Sequence, residues 1–231
     1  MIKNKKSYNY GKQSISFRDI WEVVKVLRSP WLTQGPKVKE FENEICKYTG
    51  AKYAVAVANG TAALHLAALT LNLKSTDYGI TSPNTFLASA NCMLYAGAKV
   101  KFADIEPETG NIDSKEIAKQ ITHNTKVIIP VHFAGQSCDM EAISDLAKKH
   151  NLWVIEDAAQ AIGSKYKNTM IGSCAYSNMT IFSFHPVKTI ATGEGGAITT
   201  NDPKLYEKLC TLRTIGVTKN PEHLTKNDGP W

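Results

Sequence analysis

The chain has 231 residues, 43% of them hydrophobic and 21% charged, with a formal net charge of +6. That length suits one large domain or two small ones with a sizeable core, and the 27 Lys and Arg are spread along it instead of forming a run, which argues against a nucleic-acid partner. Cys46, Cys92, Cys138, Cys174 and Cys210 show neither Cys-x-x-Cys nor Cys/His ligand spacing, so a reduced, cytoplasmic compartment and no metal site are expected.

MIKNKKSYNYGKQ has no apolar stretch behind its basic residues, so it does not read as a secretory signal. Ser16, followed three residues later by Asp19, predicts a capping box. Phe17, Ile20, Trp21, Val24 and Leu27 then recur at helical spacing up to Ser29-Pro30. A second helix is predicted from Pro36, with Val38, Phe41, Ile45 and Tyr48 on one face and Gly50 as its stop. The apolar stretch from Tyr53 to Leu73 is nominally long enough to span a bilayer. Its Asn59-Gly60-Thr61 centre instead predicts two buried elements meeting at a turn, and no membrane association is expected.

Strands are then predicted at Tyr53 to Ala58, Lys99 to Ala103, Lys126 to Val131, Leu152 to Ile155 and Thr180 to Phe184. Helical patterns separate most of them, at Thr61 to Leu71, Thr85 to Tyr95, Ile112 to Gln120 and Met140 to His150. This alternation predicts an α/β fold, a mostly parallel sheet covered on both faces, whose ligands sit beyond the carboxyl ends of the strands. GVTKNPEHLTKNDGPW, from Gly216 onward, lacks period and reads as a loop.

Three loops then stand out. Asn59-Gly60-Thr61 breaks a strand into a helix whose free amides and dipole favour an anion, although a plain strand-to-helix turn is the more frequent meaning of such a segment. Phe86 sits at another strand-to-helix junction, where it could lie against a ring or simply enter the core. Asp157 closes the buried run LWVIED, where a carboxylate is costly unless it meets a cation or several donors; a helix N-cap is the plainer alternative. SFHPVKTIATGEGGAI then delivers Ser183 and Lys188 to the same sheet edge, with Gly193, Gly195 and Gly196 allowing close backbone approach. A lysine able to form a Schiff base, an aspartate for a pyridine nitrogen and a phosphate cradle together describe a pyridoxal 5′-phosphate site.

NGTAAL, SPNTFLASAN, VHFAG, IEDAAQAIGS and SFHPVKTIATGEGGAI, in this order, resemble the DegT/DnrJ/StrS family of nucleotide-sugar aminotransferases, of the aspartate aminotransferase fold. The resemblance covers nearly the whole chain. WLTQGPKVKEFE and SFHPVKTI are most similar to members of pseudaminic acid biosynthesis that aminate a UDP-linked 4-keto-6-deoxy sugar. It implies amino transfer from glutamate, with Lys188 as the cofactor-bearing lysine and proton shuttle. Asp157 would hold the pyridine nitrogen protonated, Gln160 would lie by the 3′ oxygen, and Phe86 would stack on the ring. Thr61, Ala62 and Ser183 would hold the phosphate, and Tyr10, Trp31, Leu32 and Thr33 match the region that contacts the sugar nucleotide. His132 and His185 are read as structural histidines.

Family members continue past Gly-Pro-Trp into a segment reaching a neighbouring subunit's site and a small C-terminal domain. The expected organisation is therefore an N-terminal arm and first helix (1–35), a large cofactor-binding domain (36–215) and a polar tail (216–231), with a homodimer implied. A pyridoxamine-dependent dehydratase is disfavoured because Lys188 is present. Another pyridoxal phosphate enzyme, a non-catalytic relic or a regulator are the remaining alternatives.

Overall fold

The structure, a computed structural model, describes residues 11–217; Tyr10 and nearly all of the expected polar tail lie outside them. Helix α1 (Phe17–Leu27) carries the expected capping box, with Ser16 N–H donating to Asp19 Oδ2 at 2.7 Å and Asp19 N–H donating to Ser16 Oγ at 3.3 Å. None of its residues is buried, so its apolar stripe faces outward. Helix α2 (Pro36–Thr49) starts on Pro36 and stops at Gly50, whose φ of 83° is left-handed, the conformation that glycine adopts at least cost.

Strand β1 (Tyr53–Val57), helix α3 (Gly60–Thr70), β2 (Tyr78–Thr81), α4 (Ala88–Tyr95), β3 (Lys99–Phe102), α5 (Ser114–Gln120), β4 (Thr125–Ile129), α6 (Met140–His150) and β5 (Trp153–Asp157) follow in alternation. A small hairpin, β6 (Lys165–Tyr166) and β7 (Thr169–Met170), precedes β8 (Met179–Ser183), β9 (Gly196–Thr200) and α7 (Pro203–Arg213). The main sheet has the order β1-β9-β8-β5-β4-β2-β3. Its strands are parallel except β9, which runs against both β1 and β8. The mostly parallel sheet is thus as expected; β2, the β6–β7 hairpin, β9 and α7 had not been predicted. Helix α4 begins three residues later than expected, and α5 begins at Ser114 because Asp113 Oδ1 accepts from Lys115 N–H at 2.8 Å.

Strand residues alternate between two cores, as period-two geometry requires when both faces are covered. Val55, Val127, Ile129, Ile155, Ile181 and Ile198 pack with residues of α3, α4 and α7. Ile128 and Val154 face α5 and α6, while Ala54, Phe182 and Ala197 face Ile45 of α2. Ile128 is completely buried, and its replacement by Ala would cost about 2–5 kcal/mol. At the β1 edge, the buried Glu42 carboxylate accepts from Ala56 N–H at 3.0 Å and from Arg213, joining α2, β1 and α7.

Candidate functional site

Strands β1, β8, β5 and β4 point the same way, so the loops at their carboxyl ends share one edge of the sheet. Across that edge Val57, Gly196 and Ser183 are in register, and Asp157 pairs with Ile181, two residues before Ser183. The clefts of about 350 and 520 Å3 lie elsewhere, at the amino ends around Thr122 and Tyr53. They contain none of the chemistry-bearing residues, and in a sheet of this kind ligands bind at the opposite edge.

The first component is the start of α3. Asn59 caps it, its Oδ1 accepting from Ala62 N–H at 2.8 Å. Ala62's amide is therefore occupied, and the amides of Gly60 and Thr61 remain without a partner among the described residues. Two glycines bring the sheet up to this turn. A Cβ on Gly60 would stand 2.8 Å from Cβ of Ser183 and 3.3 Å from its Oγ. One on Gly196 would stand 2.5 Å from both the carbonyl carbon and oxygen of Asn59. The Ser183 hydroxyl thereby lies against the amino end of a helix, where amides and dipole favour an anion.

Asp157 is 5% exposed. Its Oδ2 accepts from Ser89 Oγ at 2.5 Å and its Oδ1 from Ala159 N–H at 3.1 Å. No cation pairs with it among the described residues, and no helix starts there, so the N-cap alternative does not hold. The backbone is pinned as well: Asp157 N–H donates to Pro130 O at 2.8 Å, and His132 N–H to Asp157 O at 3.0 Å. Burial, with the Asp157 charge nearby, pushes the Cys92 thiol up to about 12. Phe86, in the turn before α4, is 68% exposed and did not enter the core.

Lys188 occupies the β8–β9 connection. Phe184 N–H donates to Gly195 O at 2.8 Å and Thr192 N–H to Phe184 O at 2.9 Å, closing the loop at its base. On the β8 side, Lys188 N–H donates to His185 O at 2.8 Å across Pro186, a fixed turn. On the other side Gly193 has a φ of 83°, and a Cβ on Gly195 would meet Thr192 Oγ1 at 2.3 Å. The glycines let the chain double back tightly after the lysine. The Lys188 side chain is half-buried and takes no hydrogen bond or ion pair among the described residues.

Gln160 adds an oriented amide: its Oε1 accepts from Ala134 N–H at 2.8 Å, which leaves the NH2 group facing outward as a donor. Ala134 holds a left-handed φ of 52° to make that bond, a conformation that costs an alanine about 1–2 kcal/mol. Asn111 secures the same loop by accepting from Phe133 N–H at 2.9 Å and donating to Gln136 O and Ser137 O, both at 3.1 Å.

His132 is buried, its Nε2 2.8 Å from Glu156 Oε2 and its Nδ1 accepting from Cys138 N–H at 3.1 Å. With Nδ1 used as acceptor, the Nε2 proton faces the carboxylate. Burial pushes the Glu156 carboxyl up, but hydrogen bonds from His132, Ser177 and Thr180 outweigh it and hold the group below its ordinary value. His132 is the structural histidine expected. His185 is exposed and accepts from Val187 N–H at 3.4 Å, so it serves its own loop.

Trp31, Leu32 and Thr33 are exposed in the α1–α2 loop, where among the described residues Trp31 bonds only to Ser29. The structure does not join them to the strand edge. The Ser89–Asp157 and Ala134–Gln160 bonds were not found from sequence, since both join residues far apart in the chain.

A family model described as the DegT/DnrJ/EryC1/StrS aminotransferase family matches residues 13–229. The chain is 45% identical over 222 residues to spore coat polysaccharide biosynthesis protein SpsC of Bacillus subtilis, covering 96% of this chain and 57% of that protein. It is also 45% identical over 213 residues to a UDP-4-amino-4,6-dideoxy-N-acetyl-beta-L-altrosamine transaminase of Campylobacter jejuni, covering 91% and 56%. Among solved structures, Helicobacter pylori PseC, an aminotransferase involved in pseudoaminic acid biosynthesis, matches with a TM-score of 0.89 at 37% identity, over 93% of this chain and 58% of that one. The chain thus spans little more than half the length of the relatives it matches.

Proposed function

Because the chain belongs to the DegT/DnrJ/EryC1/StrS aminotransferase family, we propose that its carboxyl strand edge holds pyridoxal 5′-phosphate. The activity served is amino transfer from glutamate to a nucleotide-linked 4-keto-6-deoxy sugar, UDP-linked as in the Campylobacter relative. One observation carries this reading. A buried carboxylate with no cation and a lysine with no partner among the described residues gather at one sheet edge with a helix amino end lined by glycines and a serine.

These residues fit the cofactor group by group. Thr61 and Ser183 of the expected set would bind the phosphate, joined by the Gly60 amide and the α3 dipole in place of the Ala62 amide, which Asn59 takes. Asp157 would supply the anion that keeps a proton on the ring nitrogen, Gln160 would offer its NH2 to the ring oxygen, and Phe86 would cover a ring face. When bound, pyridoxal phosphate supplies a carbonyl for covalent attachment of an amine and a ring that withdraws electrons. Lys188, the lysine at this edge, would be the residue that holds the cofactor through its amine and would move the proton at the substrate carbon. Tyr10, Trp31, Leu32 and Thr33 are assigned to the sugar nucleotide.

The reading includes a homodimer, supported by the exposure of Phe86 and Leu87 beside the site, of Leu94 and Tyr95 at the far end of α4 and of Phe17 and Trp21 on α1. Such apolar surface is characteristic of association. It also includes residues 36–215 as the cofactor-binding unit and a cytoplasmic setting; no helix among the described residues is long and apolar enough to cross a membrane. The test is the visible absorption of purified protein with added pyridoxal phosphate, followed by borohydride reduction and peptide mass analysis. A band that disappears on reduction and leaves the cofactor mass on Lys188 is expected. In Lys188→Ala the adduct is lost while weak, non-covalent binding persists; an adduct on another lysine refutes the assignment.

A further inference from the structure

Asp157 is buried with two donors on its carboxylate among the described residues, and only one of them is a side chain. That side chain belongs to Ser89, which is fully buried and comes from a different element, α4. Its hydroxyl stands among three oxygens: Asp157 Oδ2 at 2.5 Å, Thr85 Oγ1 at 2.7 Å and Phe86 O at 3.3 Å. A hydroxyl has one proton to give. The ionised carboxylate is the nearest and strongest acceptor, so the Ser89 proton goes to Asp157. Ser89 Oγ then has only lone pairs left for Thr85, whose hydroxyl must be the donor of that pair.

The result is a directed chain, Thr85 O–H to Ser89 O–H to Asp157 Oδ2, in which each bond polarises the next. With Ala159 N–H on Oδ1, the carboxylate is held at both oxygens and its plane cannot rotate freely. We infer that Ser89, with Thr85 behind it, is a positioning residue that fixes the Asp157 carboxylate toward the ring nitrogen of the cofactor. This rests on the reading of Asp157 given above. Ser89 need not touch the cofactor; it acts through Asp157, and it links that carboxylate to the same turn that carries Phe86.

The test loads the full chain with pyridoxal phosphate labelled with 15N in the ring and follows the nitrogen resonance, which reports whether that nitrogen is protonated. Ser89→Ala is expected to move the resonance toward the unprotonated position and, in a Lys188→Ala background, to weaken cofactor binding about tenfold, the loss that accompanies removal of one hydrogen bond to a charged group. Ser89→Thr, which keeps the hydroxyl, should restore both. Thr85→Val should move the resonance the same way by a smaller amount, and it serves as the test where alanine at position 89 does not fold. An unmoved resonance in Ser89→Ala, or in Thr85→Val in that event, while Asp157→Ala moves it, overturns the role of Ser89 alone. A threonine variant shifted as far as the alanine variant also overturns it, since packing would then be the cause. If Asp157→Ala leaves the resonance in place, the underlying reading of Asp157 fails and this inference falls with it.

Discussion

Gly196→Ala is a sharp test of how the anion cradle is built. The added methyl would stand 2.5 Å from the carbonyl carbon and oxygen of Asn59 and 2.9 Å from Gly60 N, whereas carbon atoms in contact stay about 3.5–4.0 Å apart. One side must therefore retreat by about 1 Å. Gly196 cannot, because it is buried in β9 and in register with Val57 on one flank and Ser183 on the other. The Asn59–Gly60 peptide has to move, and that peptide accepts the first helical bond, Ala63 N–H at 3.0 Å, and starts the α3 cap. Overpacking of this kind costs about 1–3 kcal/mol. With a urea dependence of about 2 kcal/mol per molar, the unfolding midpoint should fall by about 0.5–1.5 M.

Gly50→Ala provides the comparison. Gly50 has a φ of 83° and no atom within 4 Å of a Cβ, so its substitution costs about 1 kcal/mol through backbone conformation alone and leaves the α3 turn alone. Urea unfolding followed by circular dichroism, with cofactor titration in parallel, separates the two cases. Gly196→Ala should lose both stability and cofactor affinity, and Gly50→Ala only stability. A Gly196→Ala protein with the parent's midpoint and affinity would show that the turn is not held against β9 as described.

Asp157→Ala should keep the borohydride-fixed adduct on Lys188 yet slow amino transfer from glutamate at least tenfold, since a hydrogen bond to a charged group contributes about 1.5–3 kcal/mol; half-reaction rates equal to the parent's would remove Asp157 from the ring nitrogen. Glu156 is held below its ordinary value of 4.5, so it stabilises the fold above that pH and loses this contribution as the pH falls through its lower, folded value. The stability gap between the parent and Glu156→Gln should be widest near neutrality and close in acid; a gap that widens in acid contradicts the assignment. Burial pushes Cys92 up to about 12 and Cys174 to about 11, whereas Cys46 and Cys210 are partly exposed. Iodoacetamide at neutral pH should label the exposed pair first, and early labelling at Cys92 would mean that α4 opens.

Strands rich in β-branched residues, such as those carrying Val127 to Ile129 and Ile181, were legible because both faces are buried and the runs are continuously apolar. Strand β2 was not, for a reason visible at Gly79. A Cβ there would stand 1.6 Å from Met93 Sδ, so the strand needs a glycine to receive α4, and glycine in a four-residue run reads as a break. Strand β9 was obscured similarly by Gly193, Gly195 and Gly196, and its Thr199 and Thr200 look solvent-facing until their bonds to Gly172 O and Asn178 O, both 2.8 Å, are seen. At the site, Asp157, Ser183 and Lys188 were legible because each ends or follows an apolar strand. Ser89 was not: its meaning comes from a partner 68 residues away, and nothing local marks a helix serine as a donor to a distant carboxylate.

The position of β9 also sets an order of assembly. Among the described residues β1 is the first strand made, but its sole strand partner is β9, which pairs Tyr53 with Thr200. During synthesis β1 therefore waits from Tyr53 to Thr200 before it pairs, a distant closure of the kind that slows folding. The parallel strands β2 to β5 have their mutual partners earlier. When β9 arrives, it zips β1 to β8 and closes the Lys188 loop in the same event, so the phosphate turn and the lysine reach each other together. A chain ending before Gly196 would carry Asp157 and Ser89 but lack the strand that joins the Asn59–Gly60 turn to Ser183.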